Sequence, residues 1–219
     1  MRTKSLGKIA IVLGIILMPV FFLIIFKQGK NNYKHLEIFG PKEIGVSGDT
    51  TYFTVPDFHL VNQNGETITQ KNLDGKIYVA NFFFASCPGI CPKMTDELKR
   101  VQDEFINDTD VLFISHTVDP EHDSLPALIA FAKNHGADLS KWFFVTGNRD
   151  SIYDLAIKGY LVPAAEDARA EGGYLHSQDL LLIDKEKRIR GIYDSLEPEE
   201  INRLKDEIKV LLYEYKEEK

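Results

Sequence analysis

From residue 51 onward, the chain alternates short apolar runs with stretches in which apolar residues recur every three or four positions. Continuous runs rich in β-branched and aromatic residues are typical of strands that are buried on both faces. Three nearly continuous runs of this kind occur, at 77–84, 111–116 and 142–146. The positions with helical spacing follow the first run: Met94, Leu98, Val101 and Phe105. This pattern predicts strands that alternate with amphipathic helices.

Turn and capping residues delimit the other elements. Asn64-Gly65 is a two-residue turn signal, which predicts a β-hairpin at the start of the domain. Asp123 or Ser124 can cap a helix that runs to about His135, with Gly136 at its end. The hairpin strands are predicted at 52–60 and 67–69, and a short helix at 150–157. A loop at 163–173 then precedes two strands, at 175–184 and 188–193, and a last helix follows Pro198.

The order of these elements indicates a fold class. A β-hairpin is followed by β-α units, which need parallel crossovers, and then by an antiparallel hairpin and a helix. We therefore predict an α/β fold over residues 51–219, a thioredoxin-like sandwich with an N-terminal β-hairpin extension.

The N-terminal segment has a different character. Residues 9–26 form a run of 18 uncharged residues, long enough to span a hydrocarbon layer as a single transmembrane helix. Arg2, Lys4 and Lys8 precede this run, so the positive-inside rule puts the N-terminus in the cytoplasm. Residues 1–26 are thus predicted to be a cytoplasmic tail and an inner-membrane anchor, with cleavage as the alternative. Residues 27–50 are predicted to tether the domain on the outer, periplasmic side.

The charge distribution limits the kinds of partner. All six basic residues before Glu37 lie in the anchor and tether, which leaves 20 basic against 33 acidic residues in the rest of the chain. An acidic domain is a poor match for nucleic acid or anionic lipid. A solvated acidic surface explains the excess, and a cationic partner is compatible with it.

Both cysteines lie in one short motif after the first buried strand, NFFFASCPGICPKM. A disulfide between Cys87 and Cys91 closes too small a loop to stabilise the fold strongly, so chemistry is the better reason for the pair. Pro92 suits the first turn of a helix, because its missing N–H would have no partner there. We expect the helix N-terminus to lower the pKa of both thiols, as a nucleophile or a metal ligand requires.

The spacing of the thiols modestly favours a metal. Three residues separate Cys87 from Cys91, whereas the redox motif of thioredoxin-like enzymes has two. Two thiolates with one histidine suit copper, especially Cu(I), better than a closed zinc site, which usually takes four ligands. His116 and His176 are the two candidates for the third ligand that topology brings near, and the residues alone do not decide between them. The other histidines of the domain are less suited: His59, His122 and His135.

Five motifs together resemble the Sco/SenC family of membrane-anchored copper proteins, which help assemble cytochrome c oxidase. They are PDFHL, DGKIYVANFFFASCPGICPKM, TVDPEHDS, WFFVTG and LHSQDLLLID. The resemblance covers residues 50 to 215. It implies that Cys87, Cys91 and His176 bind copper, as Cu(I) or Cu(II), and that a copper-receiving oxidase subunit is the partner, with an upstream copper donor or thiol reductant as further partners. Ala85-Ser86 and Leu175 depart from the usual family residues without removing a ligand.

Two other functions and three other residues compete with this hypothesis. A thiol-disulfide reductase would use Cys87 as the nucleophile and Cys91 as the resolving thiol, with a Cys87–Cys91 disulfide in the oxidised state. A peroxiredoxin-like peroxidase is weaker, because the Pro and Thr that normally precede its cysteine are absent. Met94 has the spacing of a core residue rather than a ligand, and a turn and a helix cap explain Asp119 and Asp123. A metal carrier implies no substrate turnover.

Overall fold

The computed structural model describes residues 17, 18, 21, 35–45, 48–166 and 174–217. The chain divides into two compact units, Met1–Lys34 and His35–Lys219. Most of the predicted anchor, and residues 27–34 of the predicted tether, lie outside the described residues. In the described ranges, no helix combines the length and apolarity needed to cross a bilayer.

A seven-stranded sheet organises the second unit, in the strand order β11-β10-β5-β6-β7-β3-β4. Two further pairs, β1 with β2 and β8 with β9, form separate two-stranded sheets. The strands are β1 (Lys42–Ile44), β2 (Thr50–Tyr52), β3 (His59–Asn62), β4 (Thr67–Thr69), β5 (Ile77–Phe83), β6 (Val111–Thr117), β7 (Trp142–Thr146), β8 (Ala164–Glu166), β9 (Tyr174–His176), β10 (Asp179–Ile183) and β11 (Ile189–Asp194).

Helices connect the strands in the order that the sequence predicts. They are α1 (Ile90–Glu104), α2 (Leu125–Asn134), α3 (Arg149–Asp154), which continues as a π-helical turn over Leu155–Gly159, and α4 (Pro198–Glu217). A 3-10 turn covers Gln70–Leu73. The inner face of α1 is buried as its spacing predicts, and Met94, Leu98 and Val101 are fully buried there. Met94 is thus a core residue.

The strand directions confirm a mixed α/β, thioredoxin-like fold. Strands β5, β6 and β7 are parallel to one another, while β10 and β11 are antiparallel to their neighbours. Every residue of β5 is buried, as expected for a central strand with both faces covered. Because β5 and β6 are parallel, their carboxyl ends meet at one edge of the sheet. The cysteine motif follows β5 at that edge.

Two predicted strands are interrupted in the structure. The run at 52–60 covers only the last residue of β2 and the first two residues of β3. The segment between them is irregular, and Pro56 there has no backbone N–H for a ladder. The run at 175–184 breaks at Ser177, whose hydroxyl accepts the Asp179 backbone N–H over 3.0 Å. Such a side-chain turn competes with continued strand pairing. It separates β9 from the central strand β10.

Part of the segment predicted as a tether packs on the domain. The backbone N–H of Phe39 donates to the Ile189 oxygen over 2.8 Å. The guanidinium of Arg190 donates to the backbone oxygens of Leu36 over 2.9 Å and Glu37 over 3.2 Å. These bonds lie on the edge strand β11, so the contacts of the domain begin before Thr51.

Candidate metal and thiol site

A tight turn positions Cys87 directly after the central strand. The backbone N–H of Cys87 donates to the Phe84 oxygen over 3.2 Å, which closes a four-residue turn. Cys91 lies in the first turn of α1, and its N–H donates to the Cys87 sulfur over 3.5 Å. Pro92 is in the same helical turn, where a missing N–H has no cost. The predicted helix start is confirmed to within two residues.

The two thiols are reduced and lie against each other. Cys87 is 8% exposed and Cys91 is fully buried. The hydrogen bond that the Cys91 thiol donates to the Cys87 sulfur, together with burial, raises the pKa of Cys91 far above its usual value, while a backbone hydrogen bond from Phe84 lowers it. The prediction of a lowered pKa is therefore wrong for Cys91, since burial and the neighbouring thiol outweigh the helix N-terminus in the reduced pair.

His176 lies on a strand whose continuation returns to the cysteine motif. Its backbone pairs with Ala164 across the β8–β9 hairpin. Three residues later β10 begins, antiparallel to β5, with Leu181 opposite Ala80. The amino end of β10 thus lies at the carboxyl end of β5, the end at which Cys87 follows. The structure describes the backbone of His176 but not its side chain. Among the side chains that are described, no three His, Cys, Asp or Glu groups are close enough to hold a metal ion.

His116, the other predicted candidate for the third ligand, is part of the core. It is fully buried on β6, and its ring stacks on Phe82 with centroids 4.8 Å apart. Its Nδ1 lies 3.2 Å from the backbone oxygen of Asn81, which can only accept, so Nδ1 donates. Burial lowers the pKa of His116 to about 4. A neutral imidazole packed among aromatic rings has a structural role.

Two of the other histidines, His122 and His135, have carboxylate partners of their own. His122 is exposed and lies 2.7 Å from the Asp119 carboxylate, which raises the pKa of the imidazole. His135 lies 2.6 Å from Asp96, and its ring packs on Phe131 with centroids 4.6 Å apart. This packing leaves only 14% of the His135 side chain exposed, although the residue lies at the end of a helix. His59 is exposed on β3.

Asp123 contacts the cysteine turn, which the sequence did not indicate. Its carboxylate accepts the backbone N–H of Ala85, at 3.0 Å from Oδ2 and 3.2 Å from Oδ1, and also the Thr117 hydroxyl. Burial raises the pKa of Asp123, against the lowering effect of the Thr117 and Ala85 hydrogen bonds. The N-cap of α2 is Ser124, so the predicted capping role of Asp123 is wrong. Asp119 does form the predicted turn, since its backbone oxygen accepts from His122 and Asp123.

Comparison with known proteins identifies the relatives of this fold and motif. The sequence model of the SCO1/SenC family matches residues 39–212, most of the chain. The chain belongs to the SCO1/SenC family. A SCO1 protein homologue of Bacillus subtilis (strain 168) is 28% identical over 151 residues, which cover 68% of this chain and 78% of that protein.

Solved structures of the SCO1/SenC family have the same fold. One is BsSco, a member of the Sco family of cytochrome c oxidase assembly proteins in which a disulfide switch was identified; it is 27% identical, with a TM-score of 0.64 over 72% of this chain and 92% of that one. Another is Arabidopsis thaliana ScoI with copper bound, 24% identical, with a TM-score of 0.62 over 74% of this chain and 99% of that one. At that identity the second comparison supports the fold alone.

Proposed function

We propose that this protein is a copper carrier for the assembly of a respiratory cytochrome c oxidase. Cys87 and Cys91, as thiolates, and His176, as a neutral imidazole, hold one copper ion and pass it to an oxidase subunit by ligand exchange. The observation that carries the proposal is the pair of thiols in contact at the end of β5. Membership of a family whose members include a cytochrome c oxidase assembly protein supports the destination.

The chemistry of the donors fits copper. Thiolate sulfur and imidazole nitrogen are soft to intermediate ligands, and three of them suffice for Cu(I). Since Cys91 keeps its proton in the metal-free pair, loading with metal displaces that proton, and metal uptake weakens as the pH falls. The turn positions Cys87 and the helix positions Cys91, so both sulfurs are preorganised for metal binding.

The proposal includes a location. The uncharged run at 9–26 anchors the protein in the inner membrane, and residues after the anchor lie on the periplasmic side. This compartment is where free thiol pairs are exposed to oxidation. A test is the labelling of Cys87 by a membrane-impermeant thiol reagent in intact cells after mild reduction. Labelling only after the inner membrane is broken would contradict the location.

Copper titration of the full-length chain in detergent tests the metal site. We expect one copper ion per reduced chain, competed by a Cu(I) chelator, and a marked loss of affinity in His176→Ala. His59→Ala is the matched control, because His59 is exposed on the opening hairpin and has no place in the site. Binding that is the same in all three proteins would overturn the assignment of His176. Absence of bound copper would overturn the carrier role.

A thiol-disulfide reductase is the second candidate function. It is favoured by the contact between two reduced thiols and by the disulfide switch reported for BsSco. In this reaction two thiols of the protein lose two electrons and two protons to form the Cys87–Cys91 bond, and a disulfide of the target becomes two thiols. Cys91→Ser would then trap a mixed disulfide between Cys87 and the target. If no such adduct forms with an oxidised oxidase subunit, the reductase function is excluded.

A further inference from the structure

The carboxylate of Asp123 reaches from the loop after β6 to the turn that carries Cys87. Asp123 is 2% exposed, and its Oδ2 accepts both the Ala85 N–H and the Thr117 hydroxyl. Thr117 is the last residue of β6 and is paired with Phe83 of β5. The Oδ2 atom of Asp123 is therefore hydrogen-bonded at the carboxyl ends of both β5 and β6, where the cysteine motif begins.

The amide that Asp123 binds belongs to the turn itself. Ala85 is the second residue of the turn from Phe84 to Cys87, which the Cys87 N–H closes onto the Phe84 oxygen over 3.2 Å. Phe84 also hydrogen-bonds the Cys91 thiol through its backbone. The position of the Cys87 sulfur relative to that of Cys91 thus depends on the direction in which this turn leaves β5. The hydrogen bond between the Ala85 N–H and the Asp123 carboxylate holds the turn in that direction.

Asp123 is itself held rigidly. Its backbone N–H donates to the Asp119 oxygen over 2.9 Å. The Thr117 hydroxyl that donates to Asp123 also accepts the Asp119 N–H over 3.0 Å. The Asp123 carboxylate is buried, and hydrogen bonds fix both the backbone and the side chain of this residue. Because it cannot move easily, the cysteine turn that it binds has little conformational freedom.

We infer that Asp123 is a positioning residue, whose carboxylate oxygen orients the cysteine turn so that the sulfur of Cys87 is presented to that of Cys91. The inference rests on the proposed use of this thiol pair. Its physical consequence is a high effective concentration of one thiol at the other, which favours both disulfide closure and shared binding of one ion. Loss of the acceptor leaves the Ala85 N–H unpaired and releases the turn.

The test is the dithiol–disulfide equilibrium of the full-length chain in glutathione redox buffers, measured without copper. Asp123→Ala is expected to shift this equilibrium about tenfold towards the dithiol, which corresponds to the free energy of losing one hydrogen bond. Asp123→Asn is expected to shift it less than about threefold, because a single amide oxygen in the Oδ2 position accepts both donors without a charge.

Gln102→Ala is the matched control for stability. Gln102 is a fully buried side chain that also anchors backbone, accepting the Asp138 N–H over 2.9 Å and donating to the Asp138 oxygen over 3.0 Å, at the far end of α1. It should lower the unfolding temperature but leave the thiol equilibrium unchanged. If Asp123→Ala behaves in the same way, Asp123 is merely structural. If Asp123→Asn shifts the equilibrium as far as Asp123→Ala, the charge and not the hydrogen bond is responsible.

These outcomes are independent of the copper proposal. The thiol equilibrium needs no metal, so a chain that fails to bind copper still reports on Asp123. Conversely, an unchanged equilibrium in Asp123→Ala leaves copper binding by Cys87, Cys91 and His176 untouched. The two claims therefore fail separately.

Discussion

The backbone N–H of Cys91 donates to the sulfur of Cys87 over 3.5 Å, and the two side chains are hydrogen-bonded to each other. One helical turn and one β-turn thus bring together thiols that three residues separate. Such a pair has two alternative states, a dithiol that binds a soft metal and a disulfide that does not.

Oxidation of this pair is expected to abolish copper binding. Disulfide formation would bond both sulfurs to each other and leave His176 as the one remaining ligand of the proposed site, which is too few to hold copper. Bound copper per chain and free thiols per chain, measured on the same sample, should fall together on oxidation and return together on reduction. Copper that stays bound to a chain with no free thiol would refute the switch.

His116 is expected to make the protein less stable in mild acid. Burial lowers its pKa from 6.5 to about 4, so the unfolded chain binds the proton first. The stabilisation by the neutral ring is complete above pH 6.5 and is lost as the pH falls to about 4, a span of about 3 kcal/mol.

Chemical denaturation at several pH values measures this dependence. His116→Phe should flatten the change in unfolding free energy between pH 6.5 and about 4 while copper affinity at neutral pH is kept. His122→Phe is the comparison variant, because His122 is exposed and its pKa is raised rather than lowered. A loss of copper in His116→Phe would show that the core assignment is mistaken.

Arg190→Met is expected to destabilise the domain by about 1.5–3 kcal/mol, since it removes one of the two guanidinium groups bound to the buried Asp184 carboxylate and leaves only Arg188, at 2.7 Å. Arg190 is 4% exposed and lies 3.0 Å from Asp184 and 3.2 Å from Glu214. The change also frees the carbonyls of Leu36 and Glu37, so proteolysis of residues 35–39 should accelerate. Lys99→Met removes the more exposed ion pair with Asp103 and should cost under about 1 kcal/mol. Equal losses in the two variants would count against the role of Arg190.

Met94→Ala is expected to lower the unfolding free energy by about 2–5 kcal/mol, because it leaves a cavity under α1. Met94→Leu keeps the volume and should cost under about 1.5 kcal/mol. Both variants should bind copper with unchanged stoichiometry when folded, as measured by metal analysis. If Met94→Leu lost copper while keeping its stability, the thioether would have to be a ligand after all.

The strands and the inner face of α1 were predictable because their buried positions carry apolar residues at regular spacings in the sequence. Phe82 and Phe83 lie in a run that is apolar apart from Asn81, and Leu98 recurs at helical spacing. The Ser177 break was missed because a side-chain hydrogen bond to Asp179 interrupts a pattern that otherwise predicts one strand. Local hydrogen bonds of this kind leave no periodic trace.

The environment of the site was less predictable than its residues. The cysteine pair is visible in the sequence, but the raised pKa of Cys91 depends on burial and on the neighbouring thiol. Asp123 lies 38 positions after Ala85, so only the parallel pairing of β5 with β6 reveals their contact. The packing of residues 36–39 on β11 likewise depends on Arg190, more than 150 positions away.

X-ray absorption spectroscopy of the Cu(I)-loaded, full-length chain tests the central claim most directly. The account predicts two sulfur atoms and one imidazole nitrogen around copper in the native protein, with the nitrogen lost in His176→Ala and kept in His116→Phe. A spectrum that needs no imidazole, or an imidazole that survives the loss of His176, would contradict it.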